Sequence, residues 1–105
     1  MEEITVLGSI NLDTTYSVPR IPLPGETIHV NHVSAAAGGK GANQAVAAQR
    51  SGLQVNFIGN VGNDHGGKYM METMKKEGIN LNNVIINSKI ETGAAAILLD
   101  EKIVF

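Results

Sequence analysis

The chain reads as an α/β protein carrying a separate β flap, and three observations predict this class. Short apolar runs alternate with helix-forming segments closed by glycine, in the order strand, helix, strand, helix. Two further segments alternate polar and apolar residues around a proline-rich connection, the pattern of a sheet with one solvated face. No internal repeat or low-complexity linker interrupts the 105 residues, a length that suits one small domain with one core.

Each element has its own signal. "ITVLGSI", Ile4 to Ile10, is a β-branched and apolar run that predicts an inner strand covered on both faces. "TTYSV" and "IHVNHV" flank "PRIPLPGET" and predict the hairpin of the flap. Lys40 to Ser51 are good helix formers, with Gly52 placed for a left-handed C-terminal cap. "QVNFIG" predicts a second strand, Asp64 within "NDHGG" a helix cap, and "KYMMETMKKEG" a helix closed by Gly78. On that helix Met70, Met71 and Met74 form a core-facing stripe, while Glu72, Lys75 and Lys76 face solvent. "NNVIIN" predicts a third inner strand. "TGAAAILLDEKIVF" predicts two more strands joined by a tight turn around Asp100 to Lys102, with "AAAILL" buried.

Composition narrows the function classes. With 43% hydrophobic residues, 17% charged residues and a formal net charge of -2, the chain falls among ordinary soluble globular proteins and lacks the basic footprint of a nucleic-acid binder. It has no cysteine, hence neither disulfides nor thiolate ligands. Its longest apolar run, Ala94 to Leu99, is far below the roughly 20 residues that span a bilayer as a helix, so the expected location is cytoplasmic with no membrane partner. His29 and His32, three apart on an expected strand, point to opposite faces, and no metal site is expected from them or from His65.

The segment "AAAGGKGANQAVAAQ", Ala35 to Gln49, carries the first chemical signal. A phosphate-binding loop would need Ser or Thr after its lysine, and Gly41 stands after Lys40. A dinucleotide fingerprint fails as well, because the third glycine is missing and the preceding segment reads as flap. What remains is close backbone access at Gly38 and Gly39, a helix N-terminus offering N–H donors, and the amide of Asn43 in the first turn. Taken alone, these glycines would equally serve a tight turn. The second signal is "GSINLD", where Asn11 and Asp13, two apart beyond the first strand, project to the same side. A carboxylate and an amide so placed can grip vicinal hydroxyls, although by themselves they would also suit a capped turn.

Taken together and in order, "GSINLD", "PLPGET", "AAGGKGANQAVAAQRSG" and "FIGNVGND" closely resemble the N-terminal portion of the ribokinase-like family of carbohydrate kinases, which also includes adenosine kinase and bacterial fructokinases. The resemblance spans nearly the whole chain, and the glycine segment is its most specific part. It implies part of a doubly wound, Rossmann-like sheet with a β-sheet lid, the core being residues 1–13 and 34–91 and the lid strands lying within 14–33 and 92–105. It also implies that Asn11, Asp13, Gly38, Gly39, Lys40 and Asn43 contact ribose or a similar sugar, with Ala95 adding an apolar contact from the lid. Homo-oligomers pairing through the lid strands are implied too.

In such kinases a sugar hydroxyl attacks the terminal phosphate of ATP, assisted by a catalytic aspartate, a further glycine-rich anion hole, magnesium and a nearby monovalent cation. The resemblance places those elements in the C-terminal half of the family's sequence. The expectation is therefore a substrate-binding and lid portion with no catalytic base of its own, binding no cofactor specifically and inactive alone. A related fructose or nucleoside kinase portion and a non-catalytic dimerising module are the alternatives. The turn in "LLDEKIVF" lacks the glycine of the family's lid hairpin, which leaves the register of the last strand open, and the chain is expected to stop within the lid at Phe105.

Overall fold

A computed structural model describes residues 2–101. Its elements run β1 (Glu3–Leu7), β2 (Asn11–Ser17), β3 (His32–Gly38), α1 (Lys40–Arg50), β4 (Gln54–Gly62), α2 (His65–Lys76), β5 (Asn80–Asn87) and β6 (Gly93–Leu99). They form two three-stranded sheets, a parallel one ordered β1-β4-β5 and a mixed one ordered β3-β2-β6. In the second, β2 pairs antiparallel with β3 and parallel with β6.

The core lies between the first sheet and both helices. Along β4 the buried residues Val55, Phe57 and Val61 alternate with Asn56, Ile58 and Asn60 on the opposite face. Ala42 and Ala45 of α1 and Met70 and Met74 of α2 meet that single buried face. Both crossovers, β1 to β4 and β4 to β5, step the same way across the sheet, and right-handed connections then put both helices on one side. Among the described residues, therefore, only one face of these strands is covered, where the sequence predicted cover on both. Among the described residues β1 is an edge strand and Leu7 on the open face is 77% exposed.

The helix signals translate directly. Helix α1 ends at Ser51 as its cap, followed by Gly52 at φ 102°. Asp64 caps α2 by accepting a hydrogen bond from the Gly67 N–H at 2.8 Å, and Gly78 follows the helix at φ 88°. Of the methionine stripe, Met70 and Met74 are fully buried and Met71 packs partly against the core.

Two strand expectations are corrected, and a third falls outside the described residues. The flap strand expected at Ile28 to Val33 is shifted to His32–Gly38, so that residues 34–38, and residues 11–13 of β2, belong to the second sheet instead of the first. Pairing with β2 imposes extended structure on an alanine-rich stretch that has little strand preference of its own. "AAAILL" forms a strand but is not buried, since Ile97, Leu98 and Leu99 of β6 are exposed. The second strand of the expected terminal hairpin, Ile103 to Phe105, lies outside the described residues. Between β2 and β3 the proline-rich connection is tied by an exposed Arg20–Glu26 ion pair, with Glu26 also accepting from the Leu23 N–H at 3.0 Å. The Arg20 guanidinium and that N–H hold the Glu26 carboxyl down at about 2.

Candidate functional site

Strand β1 leads through Gly8, Ser9 and the buried Ile10 into β2, so Asn11 lies just past the carboxyl end of a parallel strand, where open α/β sheets bind ligands. From there the register of the second sheet assembles one face row by row. Asn11 stands between Gly38 of β3 and Gly93 of β6, and Asp13 between Ala36 and Ala95. The opposite face, with Leu12 beside Ala37, packs toward the core. Asn11, Asp13, Gly38 and Ala95 therefore share the face turned away from that packing.

Steric demands at the glycines explain why this sequence fits. A Cβ on Gly38 would fall within the Asp13 carboxylate, so the carboxylate lies across bare backbone. Gly39 adopts φ 94°, a left-handed conformation that disfavours side chains, and a Cβ there would sit 2.7 Å from the Ser9 carbonyl oxygen. These close approaches bring the start of α1 against the β1–β2 junction. The Ala42 N–H donates to the Ser9 carbonyl at 3.0 Å, which fixes the helix entry.

Helix α1 begins directly after Gly39, which supplies no capping side chain, and its first turn contains no acidic residue. No acidic residue within that turn offsets the positive end of the helix dipole, and the exposed Lys40 and Asn43 stand in the same turn. Carboxylate, amides, ammonium and backbone donors so arranged can hydrogen-bond an oxygen-rich, polyhydroxylated ligand. All seven residues singled out from the sequence lie in this neighbourhood: four on one sheet face, and Gly39, Lys40 and Asn43 in the loop and helix turn that continue from Gly38.

The structure adds residues that sequence reasoning missed. Ile97 lies opposite Thr15, two residues along β6 from Ala95, and so extends the same face with apolar surface. Alternation along β6 would have flagged it only once the pairing with the distant β2 was known. Asp64, expected only as a cap, also accepts hydrogen bonds from the Thr92 hydroxyl at 2.6 Å and the Thr92 N–H at 2.8 Å. These bonds from Thr92, with that from Gly67, hold its carboxyl below the usual carboxylate range. Among the described residues no group of three or more His, Cys, Asp or Glu is arranged to hold a metal ion.

Comparison with known proteins gives the chain's relatives. The chain is 48% identical over 94 residues to the ribokinase of Haemophilus influenzae, covering 90% of this chain and 31% of the relative. It is 44% identical over 102 residues to a bifunctional ribokinase/ribose-5-phosphate isomerase A of Fructilactobacillus sanfranciscensis, covering 96% of this chain and 19% of that protein. The structure of Arabidopsis thaliana ribokinase complexed with ribose and ATP superposes with a TM-score of 0.89 at 33% identity, over 96% of this chain and 33% of the other. The chain thus spans between about a fifth and a third of the length of these relatives. Residues 1–104 match the pfkB family carbohydrate kinase pattern, and the chain belongs to that family.

Proposed function

We propose that this chain supplies the sugar-gripping face and lid of an ATP-dependent kinase that phosphorylates ribose. The observation that carries the reading is the register placing Asn11, Asp13 and Ala95 side by side, next to the glycine loop that opens α1. In this reading Asp13 and Asn11 hold vicinal hydroxyls, Gly38 and Gly39 let the sugar approach the backbone, and Lys40 and Asn43 add donors. Ala95 packs against the carbon side of the ring. The second sheet is the lid, and the likeness to a ribokinase complexed with ribose and ATP supports both substrates.

The general base and the phosphate-binding elements are not among these residues. Asp13 grips the sugar, and Asp64 is committed to Thr92 and Gly67. The chain by itself therefore transfers no phosphate, and ATP with its metal is held elsewhere in the intact protein.

Ribose titration of the intact protein and of Asp13→Ala tests the assignment. Loss of a hydrogen-bonded carboxylate should weaken binding by about 10- to 100-fold. Gly38→Ala should do so too, because it displaces the carboxylate without removing it. Wild-type preference for fructose or adenosine would overturn the ribose assignment, and phosphorylation of ribose by residues 1–105 alone would overturn the division of labour.

The same reading has two copies pair through their lids. Val33 and Leu98 of the second sheet, on one face on either side of Tyr16, leave an exposed apolar surface suited to a second copy. Sedimentation showing a monomer across micromolar concentrations would count against it.

A further inference from the structure

The residues around Asp64 do more than cap a helix. Capping α2 requires one acceptor oxygen for one N–H, and Ser or Asn would provide it. Here Asp64 Oδ1 accepts from both the Gly67 N–H and the Thr92 hydroxyl, while Oδ2 accepts from the Thr92 N–H at 2.8 Å. The Thr92 hydroxyl oxygen in turn accepts from the Gly62 N–H at 2.9 Å. Four bonds thus join the end of β4, the first turn of α2 and the residue immediately before β6.

The neighbouring glycines leave room for this knot. A Cβ on Gly62 would sit 2.7 Å from both the Thr92 nitrogen and Asp64 Oδ2, and one on Gly67 would sit 2.9 Å from the Thr92 hydroxyl. Gly93, next in the chain, starts the ladder opposite Asn11, and its missing Cβ is where the Asn11 side-chain oxygen lies. Two residues further, Ala95 meets Asp13. Because side chains change face with each residue, a slip of one at Thr92 would turn Ala95 away from Asp13.

We propose that Asp64 and Thr92 form a latch that sets the register of β6 against β2, making both positioning residues for the sugar site. This inference rests on the sugar-site reading given above. Strand β6 is an edge of its sheet among the described residues, joined on one side to β2, and the knot lies where that ladder starts. The latch also couples the wall of the site to the first turn of α2 and to the end of β4. Displacement of β6 is therefore transmitted to the core through Asp64.

The test uses three variants of the intact protein. Asp64→Ser keeps a good cap for α2 but cannot reach both groups of Thr92. Thr92→Val keeps shape but removes the hydroxyl, and Thr92→Ser restores it. Hydrogen exchange should accelerate about tenfold at residues 93–96 in Asp64→Ser and Thr92→Val, while residues 42–48 of α1 keep wild-type protection. Ribose Kd and KM should rise about tenfold in the same two variants with the KM for ATP unchanged, and Thr92→Ser should recover both properties. Unchanged exchange at residues 93–96 in both variants would overturn the latch. Faster exchange with wild-type ribose affinity would overturn its positioning role. If the wild-type protein binds no ribose, the functional reading fails, while the exchange measurements still decide whether the latch exists.

Discussion

The two sheets of this chain are built on opposite principles. The first packs one face under two helices and contains residues with no exposure at all, Val55 and Phe57 in β4 against Ala45 of α1 and Met70 and Met74 of α2. The second mixes small, polar and exposed apolar residues, with Ala35, Ala36, Ala94, Ala96, Val33 and Ile97 to Leu99 exposed and Asn11 through Ser17 only half-buried. The contrast teaches where each property resides. Stability comes from apolar burial in the first sheet, whereas the second holds its shape through register, glycine spacing and hydrogen bonds. Only the Leu12 and Ala37 face of that sheet packs toward the core, so the face with Asn11 and Asp13 can carry polar groups.

Substitutions should separate the two most sharply at buried aromatics. Phe57→Ala should cost about 3–5 kcal/mol in urea unfolding, enough to unfold a marginal domain, whereas Val33→Thr on the exposed second sheet should change stability by less than about 0.5 kcal/mol. A comparable loss at Val33 would mean that the second sheet conceals a core of its own.

A smaller effect separates the sheets by pH. Asp64 is ionised below its ordinary range when folded, so its contribution is present above the unfolded pKa of about 3.9 and is lost as pH falls through the lower folded value. Acid titration below about pH 4 should therefore loosen β6 before α1, as read by amide exchange. Asp64→Asn should abolish that selective step. Simultaneous loss of both elements would show that the latch does not distinguish them.

Local signals made the helices and the three strands of the first sheet legible from sequence. Gly52 and Gly78 mark helix ends, Asp64 marks a start, and apolar runs mark β1, β4 and β5. The second sheet was legible in existence but not in placement. The strand state of "SAAAG" is conferred by its partner β2, and the placement of both helices on one side of the first sheet follows from the direction of two crossovers, which no local window contains. The grouping of the candidate site residues was legible to a similar extent. Asn11 and Asp13 lie two apart in one strand and could be paired by eye, and Gly38 to Asn43 are contiguous. That Ala95 stands opposite Asp13 depends on a pairing between residues 11–17 and 93–99, and so on the whole intervening chain.

That same parallel pairing has a consequence for how the molecule is made. Strands β2 and β3 emerge from the ribosome long before β6, and until residue 93 is available they form only a two-stranded ribbon, which is marginal in water by itself. The first sheet and both helices lie between and can assemble meanwhile. Closing the ladder from residue 17 to residue 93 thus becomes a late step, whose loop entropy falls once the intervening residues have folded. Within these residues, the face proposed to grip the sugar is completed after the sheet that supplies the buried core.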